Sequence, residues 1–190
     1  TAWAFATADV HAPALFSALA EESVPRLGEF TEQALSNTAW AFAKAGEPAP
    51  ALFAAVAKVA VPRLGEFKAQ ELSNTVWAFG TAGEPSPALF AAVAQEAVPR
   101  LGDFTEQHLS NTAWAFPKAD IHAPALFAAV AEEAVPRLGE FTEAQPNTAW
   151  AFATADVHAP ALFSALAEES VPRLGEFAGP LQHGVGVCDG

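Results

Sequence analysis

The pattern of apolar and polar positions recurs along the chain with a period of 37 residues. In the period that begins at Thr31, the apolar residues Leu35, Ala39 and Phe42 follow one another at helical spacing, and Gly46 comes after them. This spacing predicts a helix with one buried face, capped by Thr31 at its start and stopped by Gly46 at its end. We call the corresponding helix of every period the A helix.

A second amphipathic helix, the B helix, is predicted later in each period. It opens with Pro50, a residue suited to the first helical position. Pro62 lacks an amide donor and disfavours helical geometry at Val61, so we expect a kink or break there, followed by a short turn that holds Leu64 and Phe67. The same kink or break is expected at the equivalent prolines of the other periods, Pro25, Pro99, Pro136 and Pro172.

The tryptophans measure the period most clearly. Trp3, Trp40, Trp77, Trp114 and Trp150 are separated by 37, 37, 37 and 36 residues. A fixed period in this range is typical of small helical units stacked side by side. We therefore predict an all-α fold without a sheet, an α-solenoid of about five 37-residue helix-pair repeats that forms a right-handed superhelix.

The predicted array covers residues 1–177. It consists of a partial repeat at 1–30, full repeats at 31–67, 68–104 and 105–141, and a shortened repeat at 142–177. Residues 178–190 match no part of the repeat and are rich in glycine, which predicts an irregular or disordered tail. The chain has no methionine and begins inside the repeat phrase, so we expect it to be a piece of a longer protein.

Three features depart from the regular pattern. Gly80 and Pro117 replace alanine within A helices, at a cost of about 1 and about 3 kcal/mol, so the A helix of repeat 105–141 should bend or end early. Repeat 142–177 lacks one residue and contains Pro146, so its A helix should start late. Residues 1–30 and 148–177 are identical at all thirty positions, and the two repeats should present the same surface.

Charge and composition narrow the possible functions. The chain has 22 acidic and 9 basic residues, a net charge of −13, which argues against nucleic-acid binding because affinity there depends largely on neutralising phosphates. The acids are unevenly placed, however, and the stretch from Asn37 to Lys44 contains none. No run approaches the roughly 20 apolar residues of a membrane helix, so no membrane partner is expected.

No constellation of residues suggests catalysis. Cys188 is the only cysteine, no two histidines have the i, i+4 spacing of a metal site, and no glycine-rich phosphate loop is present. We therefore expect no enzymatic activity, no cofactor, no metal and no small-molecule substrate. The equivalent arginines, such as Arg63, are open to two interpretations, contact with phosphates or structural pairing with acids.

A polar stripe along the A helices is the best candidate for a binding surface. An asparagine recurs in one slot, a glutamine stands one turn before it, and lysine or threonine stands two turns after it. These candidates are Asn37, Asn74, Asn111 and Asn147; Gln33, Gln70 and Gln107; and Lys44, Thr81 and Lys118.

Amides offer both a donor and an acceptor to a base edge, so the stripe could read one nucleotide per repeat. The slot that follows the glutamine varies, with Ala34, Glu71 and His108, as a reading surface would require. Alternatively, each asparagine bonds to the backbone of a neighbouring repeat and sets the stacking angle. The tryptophans could stack on bases, although a large ring at a repeat boundary is more often part of the core.

The phrase at 35–43, Leu-Ser-Asn-Thr-Ala-Trp-Ala-Phe-Ala, returns every 37 residues and resembles the heptatricopeptide and octotricopeptide repeats of FAST-kinase-like and RAP-domain proteins. The resemblance covers residues 1–177. It implies antiparallel helix pairs in a superhelix, location in a mitochondrion or chloroplast, and binding of organellar transcripts to process, stabilise or help translate them. No RAP domain is present in the sequence. A single-stranded RNA-binding module is thus the first hypothesis, and a protein-interaction scaffold is the alternative.

Overall fold

The regular structure alternates A and B helices along the chain. The computed structural model describes residues 2–84, 86–140, 145–155, 157 and 159–177. Within these residues all regular elements are helical, which confirms the prediction of an all-α solenoid; the handedness of the superhelix stays a prediction. In chain order the α-helices are α1 (Ala2–Thr7), α2 (Pro13–Ser23), α3 (Glu32–Ala45), α4 (Pro50–Ala60), α5 (Ala69–Ala82), α6 (Pro87–Ala97), α7 (Glu106–Lys118), α8 (Pro124–Ala134), α9 (Gln145–Thr154) and α10 (Pro160–Phe177).

The A and B helices are spaced differently. Each A helix (α1, α3, α5, α7 and α9) packs directly on the next A helix, whereas successive B helices hardly touch. A short 3-10 helix from each repeat lies against the B helix of the following repeat; these are Val24–Glu29, Val61–Glu66, Val98–Asp103 and Val135–Glu140. Because the A helices are the closely spaced layer, we infer that they form the inner, concave side of the stack.

The ends of the A helices follow the predicted signals. The Thr31 hydroxyl accepts a hydrogen bond from the backbone N–H of Ala34 at 3.2 Å, which confirms it as the N-cap of α3. At the other end Gly46 has a φ of 68°, in the left-handed region where glycine is not strained. Asp9 and Asp120 hold the same slot in other repeats with φ of 54° and 57°, since aspartate tolerates this conformation better than most residues.

The predicted break at Val61–Pro62 is confirmed. Helix α4 ends at Ala60, the 3-10 helix begins at Val61, and both Leu64 and Phe67 are buried. The same change occurs at Pro25, Pro99 and Pro136.

At Pro172 the helix is not broken, because α10 continues as one α-helix from Pro160 to Phe177. In the other repeats the 3-10 helix packs against the B helix of the following repeat, and the described residues include no B helix after α10 against which residues 171–176 could pack.

Edge-to-face phenylalanine pairs join each repeat to the next. In every pair a B-helix ring meets an A-helix ring of the following repeat, with centroids 5.0 Å apart and planes at 85° to 89°. The pairs are Phe16–Phe42, Phe53–Phe79, Phe90–Phe116 and Phe127–Phe152. Aromatic rings prefer this arrangement because the positive edge of one faces the negative face of the other. The core is therefore built between repeats as much as within them.

The irregular repeats differ from α3 and α5 at the helix ends. Helix α7 ends at Lys118, one repeat position before the ends of α3 and α5, as predicted. Helices α1 and α9 have alanine in the slot of Pro117 and end at the same repeat position as α7, so this early end is not specific to the proline. Helix α9 is described from Gln145 onward, and the predicted late start of this helix falls at residues 141–144, which lie outside the described residues. A Cβ on Gly80 would lie 3.1 Å from the carbonyl oxygen of Ala115, so this glycine allows a close approach of α5 to α7. The tail at 178–190, with Cys188, lies outside the described residues.

Candidate nucleic-acid interface

The polar stripe lies on the side of the A helices that faces away from the core. Its positions follow one another at intervals of four, three and four residues, as in Gln33, Asn37, Trp40 and Lys44. At 100° per residue these four positions fall within an arc of about 60°. The tryptophan therefore lies within the stripe, between the asparagine and the lysine, and we call the whole surface the A face.

The candidate residues all belong to this face but differ in exposure. Asn37, Asn74 and Asn111 are half-buried, while Asn147 is exposed; Gln33, Gln70, Gln107, Lys44 and Lys118 are exposed; Thr81 is half-buried. The Thr81 hydroxyl oxygen is fully covered and has no hydrogen-bond partner. The A helices thus bring the amides and lysines to one surface and leave the Thr81 hydroxyl beneath it.

The tryptophans form a ladder that crosses the A helices. Ring centroids are 6.2 Å apart for Trp40–Trp77, 6.4 Å for Trp77–Trp114 and 6.2 Å for Trp114–Trp150. The first two pairs are stacked at 29° and the third is tilted at 38°. The expectation of contact across repeat boundaries is correct. However, the rings are only partly buried against the core, and Trp3 and Trp150 at the two ends are 54 % and 43 % exposed.

The asparagine side chains take little part in repeat packing. In the described part of the chain the amides of Asn37 and Asn74 make no hydrogen bond to protein, and Asn111 accepts one of 2.7 Å from Gln107 in its own helix. A bond between repeats is made instead by the preceding residue, since the Ser73 hydroxyl donates to the carbonyl oxygen of His108 at 3.2 Å. The asparagine amides therefore keep donors and acceptors available to a ligand.

Two residues in the variable slot that follows the glutamine, Glu71 and His108, form hydrogen bonds at the N-termini of their helices. The Glu71 carboxylate accepts a hydrogen bond from the backbone N–H of Lys68 at 2.8 Å, and His108 Nδ1 accepts one from the N–H of Thr105 at 3.3 Å. These contacts cap the first turns of α5 and α7. Burial lowers the pKa of His108, which favours the neutral ring that can accept this bond. Glu71 and His108 therefore have a structural role at the helix starts, and the interpretation of this slot as part of a reading surface stays a prediction.

Basic residues are few on the A face, and one of them, Lys118, lies beside the tryptophan ladder. Lys118 Nζ lies 6.0 Å from the ring centroid of Trp114, at the outer limit of a cation–π contact. In the first repeat the equivalent residue is Thr7, whose hydroxyl donates to the carbonyl oxygen of Trp3 at 2.8 Å.

The arginine side chains that the structure describes pair with carboxylates or backbone carbonyls of the protein. Arg63 forms an ion pair with Glu32 at the start of α3, and Arg100 donates to the carbonyl oxygen of Phe67 at 2.6 Å. Arg137 donates to Glu133 at 3.0 Å. Backbone hydrogen bonding at the helix start, followed by the Arg63 guanidinium, lowers the pKa of Glu32. These contacts favour the structural interpretation of the arginines over a ladder of phosphate ligands.

Charge is segregated between the two layers. On the A face of α3 and α7 the charged side chains beyond the first turn are Lys44 and Lys118. The exposed acids of the B helices include Glu21, Glu132 and Glu168, and others follow in the 3-10 helices. The A face is thus close to neutral or weakly basic, while the net charge of −13 is carried mostly elsewhere.

Other kinds of site were sought in the same residues. The described side chains contain no group of three or more histidine, cysteine, aspartate or glutamate residues that could hold a metal ion. None of the described helices combines the length and apolar character needed to cross a membrane.

A repeat array with one polar, aromatic-rich face and a separate acidic layer defines a helical-repeat binding protein. A family model described as RNA-editing substrate-binding complex 6 protein (RESC6) matches residues 1–180. The chain therefore belongs to the RESC6 family. A search of curated proteins found no match.

Proposed function

We propose that this chain is a single-stranded RNA-binding module that holds RNA along the A face. The continuous row of asparagine, glutamine and tryptophan across successive A helices carries the proposal. The family name supports it, since it describes a substrate-binding component of RNA editing. On this basis the chain acts by binding and not by catalysis.

Recognition would rest mainly on the amides. Asn37 and Asn74 have unpaired donors and acceptors at a surface, the groups that read base edges in unstacked RNA. A base cannot enter the ladder between two tryptophans as it stands. Each aromatic contact takes about 3.5 Å, so insertion needs a separation of roughly 7 Å between rings. The centroids are 6.2 to 6.4 Å apart, so the rings would contact bases through their exposed edges.

The electrostatic contribution should be small. Lys44 and Lys118 are the candidates for phosphate contact on this face. Two phosphate contacts on a single strand give a slope of about −1.4 for log K against log salt concentration. We therefore expect moderate affinity with weak salt dependence, in contrast to a basic nucleic-acid-binding domain.

We further propose that the repeats of this chain act as those of the heptatricopeptide and octotricopeptide proteins that they resemble, by binding transcripts so that these are processed or stabilised. The proposed compartment is the mitochondrion, because RNA-editing complexes of the kind that the family name describes are mitochondrial.

The test is binding of the purified chain to a labelled single-stranded RNA pool between about 50 and 200 mM salt, where phosphate contacts weaken measurably. Asn74→Ala/Asn111→Ala is the test variant, and Gln95→Ala, an exposed amide on α6, is the matched control on the B layer. Loss of one net hydrogen bond per site predicts roughly 2- to 10-fold weaker binding for each asparagine, unequally among sequences. Failure of a folded chain to bind any RNA at low salt would refute the proposal.

A protein-interaction scaffold is the second candidate, and grooves between the B helices favour it. Apolar grooves of about 580, 480 and 320 Å³ lie between α2 and α4, α4 and α6, and α8 and α10. Ala54 lines the second groove, so Ala54→Glu should weaken the binding of a protein partner held there. The asparagine variants should leave that binding unchanged. RNA binding that is lost on Ala54→Glu and kept in Asn74→Ala/Asn111→Ala would favour the B layer over the A face.

A further inference from the structure

One thirty-residue sequence adopts two structures in this chain. Residues 1–30 and 148–177 are identical. In the first copy the segment Val24–Glu29 is a 3-10 helix that lies against α4 of the next repeat. In the second copy the same residues, 171–176, continue the α-helix α10. The thirty residues themselves cannot cause this difference, so their surroundings must, and in the first copy these surroundings include α4 of the next repeat.

The two copies also differ in burial, on the side of the repeat that faces the following repeat in the first copy. Phe16 is 1 % exposed because it packs edge-to-face on Phe42, whereas the equivalent Phe163 is 39 % exposed. Ala6 is buried and the equivalent Ala153 is exposed. These residues form the side of the repeat that faces repeat 31–67 in the first copy. No described residue covers that side in the second copy.

We propose that residues 148–177 of one chain dock on repeat 31–67 of a second copy of this chain, in place of that copy's residues 1–30. Phe163 then packs on Phe42 of the second copy, and 171–176 takes the 3-10 form that its twin shows at Val24–Glu29. The occupant is specified by sequence identity, since 148–177 carries every side chain that repeat 31–67 already accepts. The exchange is a form of domain swapping and produces head-to-tail chains.

Competition from residues 1–30 controls how much exchange occurs. Residues 1–30 are covalently joined to repeat 31–67, so their effective concentration is about 1 mM, whereas a second copy at ~10 μM competes at its true concentration. Equal contacts then give about one exchanged interface per hundred in the unmodified chain. Docking would continue the row of A helices from one chain to the next. This inference concerns the association of chains and does not depend on the proposed RNA function.

The test compares the same substitution in the two identical segments of the full chain. Phe16→Ala weakens the internal docking by roughly 10²- to 4 × 10³-fold, the range for removing a buried phenylalanine, and leaves 148–177 intact. At ~10 μM, exchanged interfaces should then rise to half or more of the total. Phe163→Ala removes the same contact from the incoming segment and should leave the chain monomeric. The double variant Phe16→Ala/Phe163→Ala should also be monomeric.

Sedimentation velocity over a concentration series measures the mass, and circular dichroism confirms that the variants remain helical. Phe16→Leu, a milder change, should give a smaller but concentration-dependent increase in mass. A helical Phe16→Ala chain that stays monomeric would overturn the proposal. Association that persists in the double variant would also overturn it, because exposed core and not residues 148–177 would then be the cause. RNA binding is a separate measurement, so failure of one proposal leaves the other standing.

Discussion

Substituting one phenylalanine of the inter-repeat pairs tests how the array is stabilised. Phe90 is 0 % exposed, and its ring lies 5.0 Å from Phe116 at 87°. Phe90→Ala removes a fully buried ring and should lower the free energy of unfolding by roughly 3–5 kcal/mol. Of this, about 0.5–1.5 kcal/mol belongs to the edge-to-face geometry.

Phe163→Ala is the matched control, since Phe163 holds the same repeat position but is 39 % exposed. About six tenths of its area is buried, so of the ~1.5–3 kcal/mol for burying a phenylalanine it should contribute roughly 1–2 kcal/mol. Urea titration followed by circular dichroism, at a concentration where both proteins are monomeric, measures the difference. Equal losses in the two variants, or a smaller loss for Phe90→Ala, would refute the idea that these pairs hold the repeats together.

Three further predictions concern other parts of the array. The contribution of His108 to the free energy of unfolding should be fully present above about pH 6.5 and should fall below it, because burial lowers the pKa of His108 in the folded state and the unfolded state therefore takes up the proton first. Urea titrations at several pH values should show this loss, and His108→Ala should flatten it. A second loss should follow in acid as Glu32, whose pKa is also lowered in the folded state, becomes protonated. Gly80→Val should destabilise by roughly 1–3 kcal/mol through overpacking against α7, whereas Gly102→Val, where an added Cβ meets nothing, should cost much less in the same assay. Pro117→Ala should stabilise the chain by up to about 3 kcal/mol and raise its thermal midpoint, since alanine restores the missing amide donor near the end of α7.

Much of the fold could be predicted because it depends on local rules that recur. Gly46 stops α3 because glycine adopts the left-handed conformation without strain, and Pro62 lacks the amide donor that a continuing α4 would need. Pro172 did not follow its equivalents, because the 3-10 form also needs a B helix from the next repeat to pack against it. Identical sequences at 24–29 and 171–176 therefore differ, and no property of those residues alone could have predicted it.

The candidate surface was only partly predictable from the sequence. Helical spacing placed Asn37 and Lys44 on one face, and the same spacing puts Trp40 between them. The size and apolar character of tryptophan pointed instead to the core, and the ladder became visible only when the distance between A helices was known. The capping role of His108 was likewise hidden, because it depends on the turn that Thr105 makes before α7.

Intrinsic fluorescence during an RNA titration tests the A face most directly. The chain has five tryptophans and no tyrosine, and every tryptophan belongs to the ladder slot, so its emission reports on this face alone. We predict that single-stranded RNA changes the emission with the same midpoint as binding measured by anisotropy of labelled RNA, and that Asn74→Ala/Asn111→Ala shifts both curves together. RNA that binds the folded chain without changing the tryptophan emission would contradict the assignment of the A face as the RNA-binding surface.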